Sequence, residues 1–450
     1  MFLNILYLLA LLLASPWLIF RALTTGRYRE GWGEKALGRV PILPDNPDAP
    51  TLWLHAVSVG EVNLLPMLVS RLEQAIPGVR CVISTTTKTG MEVARKRFPN
   101  HTVFYYPLDF TWAVKTALKR IRPTALILAE LEVWPNMTRL AKKNGVKVVV
   151  FNGRISDKSF PSYRRFSCFV RPAFQRVDKV VSQSDVYSQR FIELGVPADR
   201  VVTVGSIKFD GAKTDRAIPA VARVRSLTGT SKTGAFWEGV TDADVVFLAG
   251  STQDPEEEMA LNVFNRFSEQ FDSLKLILVP RHPERFDTVA KMLESRSAEF
   301  IRRTELTEQG GENADGSKRC RILLVDTVGE LGAWWGTTQI AFVGGSMGSR
   351  GGQNMIEPAG YGATVSFGPN TTNFRDVVAL LLGANAAVVV KDEQEMLHFV
   401  EKCLTDPAWR EELGARAREL VLSQTGAADK TVGIIKESCE LRVASCEKNS

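Results

Sequence analysis

One carboxylate, Glu61, stands where a predicted strand at 51–57 passes into an apolar helical pattern that starts at Val62. In open α/β sheets, ligands and catalytic side chains lie at the carboxyl ends of the strands. A carboxylate held there is suited to general-base chemistry, in which it takes a proton from an attacking group. Glu61 is therefore the first catalytic candidate, and Ser58 and Gly60 in the same turn are predicted to contact the group that it activates.

A pair of further carboxylates, Glu130 and Glu132, follows another predicted strand at 124–129. A spacing of two places both side chains on the same side of an extended stretch. If both are buried, their mutual repulsion raises the pKa of one of them. Glu132 also has a structural interpretation, in which it caps the helix predicted to start near Trp134.

The second half of the chain has a dense run of glycines at 344–352, which continues into Gln353 and Asn354. Glycines let backbone amides approach an anion, and the helix predicted after them adds the positive end of its dipole, so a phosphate is the expected occupant. Glu357 in that helix is placed to accept hydrogen bonds from a ribose diol. The alternative is a tight turn that only packs a strand against a helix.

Two further strand ends supply groups of the same kind. Arg281 and His282 follow a predicted strand at 274–280, and a guanidinium there suits a phosphate. The segment after the strand at 322–325 opens another helix and offers more amides, at Val328, Gly329 and Glu330. Three strand ends thus predict one nucleotide-sized site, although His282 has an alternative interpretation as a structural histidine.

These residues need two packed sheets to position them. The chain has 450 residues, 45% of them hydrophobic, which is more than one ordinary core accommodates. Short β-branched runs alternate with amphipathic segments from 51 to 204 and again from 245, the pattern of parallel sheets. We predict an α/β protein with two tandem Rossmann-like domains facing a cleft: a first domain at 23–210, a linker at 211–242, and a second domain with C-terminal helices at 243–450.

The first residues predict a membrane anchor at 1–22. The segment from Phe2 to Phe20 is almost wholly apolar and is followed by Arg21, Arg27 and Arg29. Positive flanks stay in the cytoplasm, so the body of the protein is expected on the cytoplasmic side of the inner membrane. The alternative is a helix that lies in one leaflet, because Pro16 interrupts the run.

The distribution of charge indicates a class of binding partner, and the cysteines indicate the redox compartment. The net charge of +6 is modest, but cations and aromatic side chains cluster around Arg154, Arg164 and Arg165, a combination that suits phosphorylated lipid head groups. A solvated basic helix face is the alternative.

The six cysteines are scattered without a C-x-x-C pair, which argues against a disulfide framework or a zinc site and favours a reducing compartment.

A nucleotide site in the second half and a carboxylate in the first suggest a glycosyltransferase of the GT-B architecture. Five motifs then resemble the 3-deoxy-D-manno-octulosonic acid (Kdo) transferases of lipopolysaccharide synthesis. They are His55 to Glu61, Glu130 to Asn136, Gly205 to Asp210, Pro280 to Phe286 and Gly351 to Ala359. The resemblance covers almost the whole chain, including the apolar N-terminus.

This resemblance implies transfer of Kdo from CMP-Kdo to a lipid A precursor at the membrane, with inversion at the anomeric carbon, no metal or other cofactor, and no nucleic acid partner. Glu61 matches the catalytic base of the family. Glu130 and Lys208 match residues that stabilise the transition state, and the second-domain motifs match the CMP site. The chain departs from the family at Gln353 and Gln253, where histidine is usual; neither change removes a backbone amide.

Three other functions are alternatives to Kdo transfer. A GT-B enzyme with another nucleotide sugar, such as a UDP donor used on a lipid, is the nearest. A nicotinamide oxidoreductase is disfavoured because no Gly-x-Gly-x-x-Gly follows the first strand. A membrane-anchored protein that binds a nucleotide without catalysis is the third.

Overall fold

The computed structural model describes residues 2–25, 30–44, 49–308 and 318–447. The chain forms two compact units: unit 1 is Met1–Gly211 with Gln424–Ser450, and unit 2 is Ala212–Ser423. Each unit has its own seven-stranded sheet.

The elements are numbered in chain order. The strands are β1 (Thr51–His55), β2 (Arg80–Thr85), β3 (Thr102–Tyr105), β4 (Ala125–Ala129), β5 (Lys147–Gly153), β6 (Lys179–Ser182), β7 (Val201–Thr203), β8 (Gly229–Thr230), β9 (Phe236–Trp237), β10 (Val245–Thr252), β11 (Leu274–Pro280), β12 (Ile301–Arg302), β13 (Ile322–Leu324), β14 (Ile340–Val343), β15 (Thr364–Phe367) and β16 (Ala387–Val389). The helices are α1 (Phe2–Thr25), α2 (Trp32–Leu37), α3 (Val59–Val62), α4 (Leu65–Ala75), α5 (Lys88–Arg97), α6 (Thr111–Ile121), α7 (Pro135–Lys143), α8 (Phe160–Arg165), α9 (Ser167–Phe174), α10 (Asp185–Glu193), α11 (Pro219–Arg225), α12 (Glu256–Phe267), α13 (Phe286–Ser295), α14 (Leu331–Trp334), α15 (Ile356–Gly360), α16 (Arg375–Gly383), α17 (Glu393–Thr405), α18 (Pro407–Gln424) and α19 (Ala427–Glu447). Short 3₁₀ turns occur at Ala198–Arg200, Pro283–Arg285, Arg303–Glu305 and Trp335–Thr337.

The sheet of unit 1 is parallel, with strand order β3-β2-β1-β4-β5-β6-β7. Its central strands are buried along their length, which explains why β1 and β4 are continuous apolar runs rather than alternating ones. The strand order reverses between β1 and β4, which pair in register with His55 opposite Leu128. The residues that follow these two strands therefore lie side by side, at the topological switch point where open sheets bind ligands.

The main sheet of unit 2 is also parallel, with order β12-β13-β11-β10-β14-β15-β16. Its order reverses between β10 and β14, which pair with Gly250 opposite Val343. The glycine-rich segment follows β14 and the Gln253 segment follows β10, so this switch point holds both. The two-α/β-domain architecture predicted from the strand pattern is confirmed.

The predicted domain boundaries are wrong at two places. All of the expected linker at 211–242 except Gly211 belongs to unit 2. This stretch contains α11, β8 and β9, and its apolar side chains Val221, Val224 and Trp237 are buried. The expected second domain ends at Ser423, and α19 belongs to unit 1 instead. Its apolar face, with Val432 and Ile435, joins the core of that unit.

Helix α1 forms where the anchor is predicted. Among the described residues, however, no helix has both the length and the apolar character needed to cross a bilayer. Its first turns are fixed to unit 1 by polar contacts: the Tyr7 hydroxyl donates to the Asp109 carboxylate at 3.0 Å, and the Thr111 amide donates to the Asn4 side chain at 3.2 Å. Arg27 and Arg29 lie outside the described residues.

Candidate functional site

The carboxylate of Glu61 is held by its own turn. The amide of Val57 donates to it at 2.9 Å and the Ser58 hydroxyl at 2.8 Å, while the Glu61 amide donates back to the Ser58 hydroxyl at 3.3 Å. This is a capping box at the start of α3, which fixes the side chain without burying it. Ser58 and Gly60 are exposed beside it. Glu61 is thus presented, half-exposed and oriented, at the carboxyl end of β1.

Glu130 and Glu132 lie in the turn that follows β4, next to Glu61. Glu130 has a left-handed backbone, with φ of 49°, and its amide donates to the carbonyl of Phe151 at 3.0 Å. The pKa of Glu132 is raised to about 6, mainly by burial. The indole N–H of Trp134, at 2.9 Å, opposes the rise, and the charges of Glu61 and Glu130 add to it. One pKa of the pair is raised, but burial rather than the predicted mutual repulsion is the main cause, and the charge of Glu130 contributes least. Three carboxylates converge at the switch point of unit 1.

The alternative interpretation of Glu132 as a helix cap is wrong. The first turn of α7 is capped by Asp109, whose carboxylate accepts from the amides of Asn136 at 2.9 Å and Met137 at 2.7 Å. Asp109 is 27 residues before Asn136, so no local sequence signal identifies it. With the cap supplied elsewhere, the Glu132 carboxyl is left beside Glu61.

The pKa of Glu132 gives a testable pH dependence of stability. Its pKa is about 6 in the folded protein against an ordinary 4.5, so folding favours the protonated form. Stability is therefore lost as the pH rises through about 6. We expect Glu132→Gln to raise the free energy of unfolding by about 1–2 kcal/mol at about pH 8 and by much less at about pH 4. Urea unfolding at both pH values, with exposed Glu92→Gln as the control, measures this; an equal effect at both would contradict it.

Lys208 lies in the loop after β7. One amide side chain, Asn152, and one acidic side chain, Asp210, hold this loop in place. The Asn152 side-chain oxygen accepts from the Ser206 hydroxyl and from the Ile207 amide, both at 3.3 Å. The Asp210 carboxylate accepts from the amides of Gly426 and, at 2.8 Å, Ala428 at the start of α19. Asn152 lies near the end of β5, two strands in from the edge strand β7, so these hydrogen bonds draw the loop from the sheet edge towards β5. Within the described residues Lys208 forms no ion pair.

The predicted acceptor-binding arginines lie at two places. Arg164 and Arg165 are exposed on α8, and Arg154 is half-buried after β5. Tyr163 on α8 is close enough to Glu132 for that carboxylate to contribute, after burial, to the raised pKa of the phenol. Helix α8 therefore passes near Glu132 at Tyr163. Phe166, at the end of α8, and Phe169, on α9, are exposed.

In unit 2 the first half of the glycine-rich segment does not offer its amides to a ligand. The amides of Gly345, Ser346 and Met347 donate to the buried carboxylate of Glu256 at 2.7, 2.9 and 2.9 Å. The anion that the sequence predicts for this segment is thus, at 345–347, a side chain of the protein. The signal that sequence reasoning missed is the run of three glutamates at 256–258 directly after β10.

The second half, at Gly351 to Asn354, forms a separate turn. Gly351 and Gly352 have φ of 88° and 79°, and a Cβ on Gly351 would lie 2.4 Å from the Thr372 hydroxyl, so both positions need glycine. The Gly352 amide is already used, since it donates to the Gly345 carbonyl at 2.8 Å. In the described residues the amides of Gly351, Gln353 and Asn354 have no backbone acceptor, which makes them better phosphate donors than the amide of Gly352.

Glu357 is a half-buried residue next to this turn. The Asn354 side chain donates to it at 3.0 Å; burial raises its pKa, while Asn354 and the charge of Lys213 oppose the rise. A Cβ on Gly332 would lie 3.9 Å from its Oε2, so the segments after β13 and β14 come together at Glu357. Its predicted contact with a ribose diol stays a prediction.

The two other predicted donor segments lie at the same edge of the sheet. Arg281 is exposed and its amide donates to the Thr252 carbonyl at 3.0 Å, while His282 lies 3.9 Å from Glu284. Val328 is exposed and Gly329 has φ of 92°.

The carboxylate of Glu330 is engaged within unit 2. It accepts from Arg303 at 2.8 and 2.9 Å and from the Thr327 hydroxyl at 2.7 Å. Although burial alone would raise the pKa of Glu330, these contacts hold it below its usual value. Because its carboxylate is engaged, Glu330 can contact the predicted nucleotide only through its backbone. Among the described residues no group of three or more His, Cys, Asp or Glu side chains is placed to hold a metal ion.

Comparisons with known proteins concern the family and the fold of the chain. A family profile described as 3-Deoxy-D-manno-octulosonic-acid transferase (kdotransferase) matches residues 30–211. The 3-deoxy-D-manno-octulosonic acid transferase of Haemophilus influenzae is 29% identical over 399 residues, 88% of this chain and 89% of the relative. That of Bordetella pertussis is 29% identical over 445 residues, 96% of this chain and 98% of the relative.

A solved structure shows the fold. The UDP-GlcNAc 2-epimerase of Neisseria meningitidis, bound to UDP-GlcNAc, is 11% identical and matches with a TM-score of 0.52 over 86% of this chain and 99% of its own. At this identity the likeness concerns the architecture alone, two parallel-sheet α/β domains of the GT-B kind. The family profile and the near full-length relatives together support the 3-deoxy-D-manno-octulosonic-acid transferase family of glycosyltransferases for this chain.

Proposed function

We propose that this protein transfers Kdo from CMP-Kdo to a lipid A precursor, with inversion and with Glu61 as the general base. The observation that carries the proposal is the oriented Glu61 carboxylate, beside Glu130 and Glu132, at the switch point of a unit that matches the family profile. A sugar hydroxyl is a poor nucleophile at neutral pH, so a positioned carboxylate that takes its proton accelerates its attack.

In the proposed step the acceptor oxygen forms a bond to the anomeric carbon as Glu61 takes its proton. The bond from that carbon to the phosphate oxygen breaks, and its electron pair leaves with CMP. A phosphate is a good leaving group and needs stabilisation of its charge rather than a general acid. We assign that stabilisation to Lys208, Arg281 and the amides around Gln353, with Glu130 supporting the transition state.

The direct test is incubation of the purified protein with CMP-Kdo and a tetraacylated lipid A precursor, followed by mass spectrometry of the lipid. A mass gain of one or more Kdo residues supports the proposal. A folded protein that gives no product contradicts it. Replacing CMP-Kdo by UDP-sugars in parallel reactions tests the nearest alternative, and product formed only with a UDP donor would establish that alternative.

We also propose that the protein acts on the cytoplasmic face of the inner membrane, held there by α1. Along this helix Leu9, Leu12, Leu13, Trp17 and Phe20 are each more than half exposed, although they are large apolar side chains. A helix of this kind binds in the plane of a membrane by burying its apolar side chains among the lipids. Of the two predictions for this segment, we therefore retain the helix that lies in one leaflet.

This membrane proposal predicts the effect of two charges on α1. Leu12 and Leu13 are 69% and 83% exposed, so Leu12→Glu combined with Leu13→Glu is expected to leave folding intact. We expect co-sedimentation with vesicles of phosphatidylethanolamine and phosphatidylglycerol to weaken by about tenfold or more, because two apolar side chains no longer enter the lipid. Leu422→Glu, at an exposed position of α18, is the control. Unchanged sedimentation of the double variant would exclude α1 as the contact.

A further inference from the structure

The buried carboxylate of Glu256 is the least explained charged group in unit 2. Glu256 is the first residue of α12 and is only 1% exposed. Its Oε2 accepts from the amides of Gln253 at 2.9 Å and Gly345 at 2.7 Å, and its Oε1 accepts from those of Ser346 and Met347, both at 2.9 Å. No cation pairs with it in the described part of unit 2, so four amides alone satisfy the carboxylate.

The backbone is shaped to admit this carboxylate. A Cβ on Gly344 would lie 2.7 Å from the Glu256 Oε2 and 2.6 Å from the Thr252 Cα, so only glycine fits at this position. Burial raises the pKa of Glu256, while the four amide hydrogen bonds oppose the rise. Glu256 therefore does for the 344–347 turn what a bound phosphate does for a glycine loop: it collects amides that point to one place.

Two links connect this turn to the predicted donor residues. The Gly345 carbonyl accepts from the Gly352 amide at 2.8 Å, and a Cβ on Gly345 would lie 3.2 Å from the side-chain nitrogen of Gln353. The Ser346 carbonyl accepts from the Asn370 amide at 2.9 Å, and three residues later the Asn373 amide donates to the Gly351 carbonyl at 2.9 Å. The position of Gly345 and Ser346 thus sets the position of the turn at 351–353.

We infer that Glu256 is a positioning residue for the donor nucleotide: it holds the first glycine turn in place, and that turn holds the amides of Gly351 and Gln353 for the phosphate. The inference rests on the proposed function for the identity of the nucleotide. It separates the roles of two adjacent stretches, with 344–347 binding an internal anion and 351–353 binding the external one. It also explains why α12 begins with a buried acid.

Glu256→Gln tests the inference, because glutamine keeps the shape but turns an NH2 group towards two of the four amide donors. We expect the Kd of CMP, measured by calorimetry, to rise by about tenfold or more, since misplacing a binding loop by about 1 Å is costly. We also expect faster amide hydrogen exchange at both 344–347 and 351–353 in the absence of nucleotide. Glu258→Gln is the matched control: it lies two positions along α12, is partly exposed and pairs with Arg296.

Exchange at 351–353 that stays at the parental rate in Glu256→Gln would overturn the inference, as would an unchanged Kd. If Glu256→Gln does not fold, Glu256→Asp keeps the charge and is judged by the same two measurements, with a smaller change in each expected. If the parent protein binds no CMP, the proposed donor is wrong, and the exchange of 351–353 decides the role of Glu256 without it. A lower melting temperature with parental exchange at 351–353 identifies a purely structural residue and also overturns the inference.

Discussion

Glu61→Gln is expected to lower kcat for Kdo transfer by about 10²–10⁴-fold, the usual contribution of a general base. Glutamine keeps the size of the side chain and one of the two oxygens that accept from the Val57 amide and the Ser58 hydroxyl, but it has no basic oxygen to take the acceptor proton. The Kd of CMP is expected to stay near the parental value, because the predicted donor contacts are in unit 2. Single-turnover assays with saturating donor, together with CMP titration, measure both quantities.

The capping box complicates this substitution and sets its control. Loss of a cap costs about 0.5–2 kcal/mol, so the unfolding of Glu61→Gln has to be measured beside its activity. Ser58→Ala removes the hydroxyl that orients Glu61 but leaves its carboxylate, and we expect it to retain most of the activity that Glu61→Gln loses. Turnover of Glu61→Gln within about twofold of the parent would reject a general base at this position.

Lys208→Met is expected to lower kcat by about 10²–10³-fold, the size seen when one group that stabilises transition-state charge is removed. Methionine keeps the length of the side chain and loses its charge. Since the loop is held by Asn152 and Asp210 rather than by Lys208, the fold of unit 1 is expected to remain. Steady-state kinetics with varied donor separate kcat from KM.

The matched control for Lys208 is Lys119→Met, at an exposed position near the end of α6. This variant loses the same charge, so the comparison removes the effect of net charge on binding to an anionic lipid. A rise in KM for the donor with unchanged kcat in Lys208→Met would show that Lys208 binds the ground state and does not stabilise the transition state. Equal losses in the two variants would remove Lys208 from the mechanism.

Local patterns were sufficient for most of the architecture. The strands predicted at 51–57, 124–129 and 274–280 correspond to β1, β4 and β11, because buried parallel strands are apolar runs that can be recognised without a partner. The convergence of Glu61 with Glu130 and Glu132 followed from the rule that ligand sites lie at strand ends. The short strands β8, β9 and β12, of two residues each, were missed, since so short a segment has no period.

Other features depend on pairs that are far apart in the chain. Asp109 caps α7, and Glu256 reaches a turn about 90 residues later; in both cases the sequence shows an acid without showing its partner. The glycine-rich segment was interpreted as one phosphate site, whereas the fold divides it between an internal carboxylate and the 351–353 turn. The return of α19 to unit 1 was also missed, because an amphipathic helix does not specify which core it covers.

The sequence by itself determined the α/β class, the two parallel sheets, the strand ends that carry polar groups, and the family resemblance, because each depends on residue order within a short window. Only the tertiary structure decided which amides already have an acceptor, which carboxyl has its pKa raised, and which unit each terminal helix joins. The physical reason is that hydrogen bonding and burial depend on what lies across the fold, and the strand order brings together residues that the chain keeps far apart.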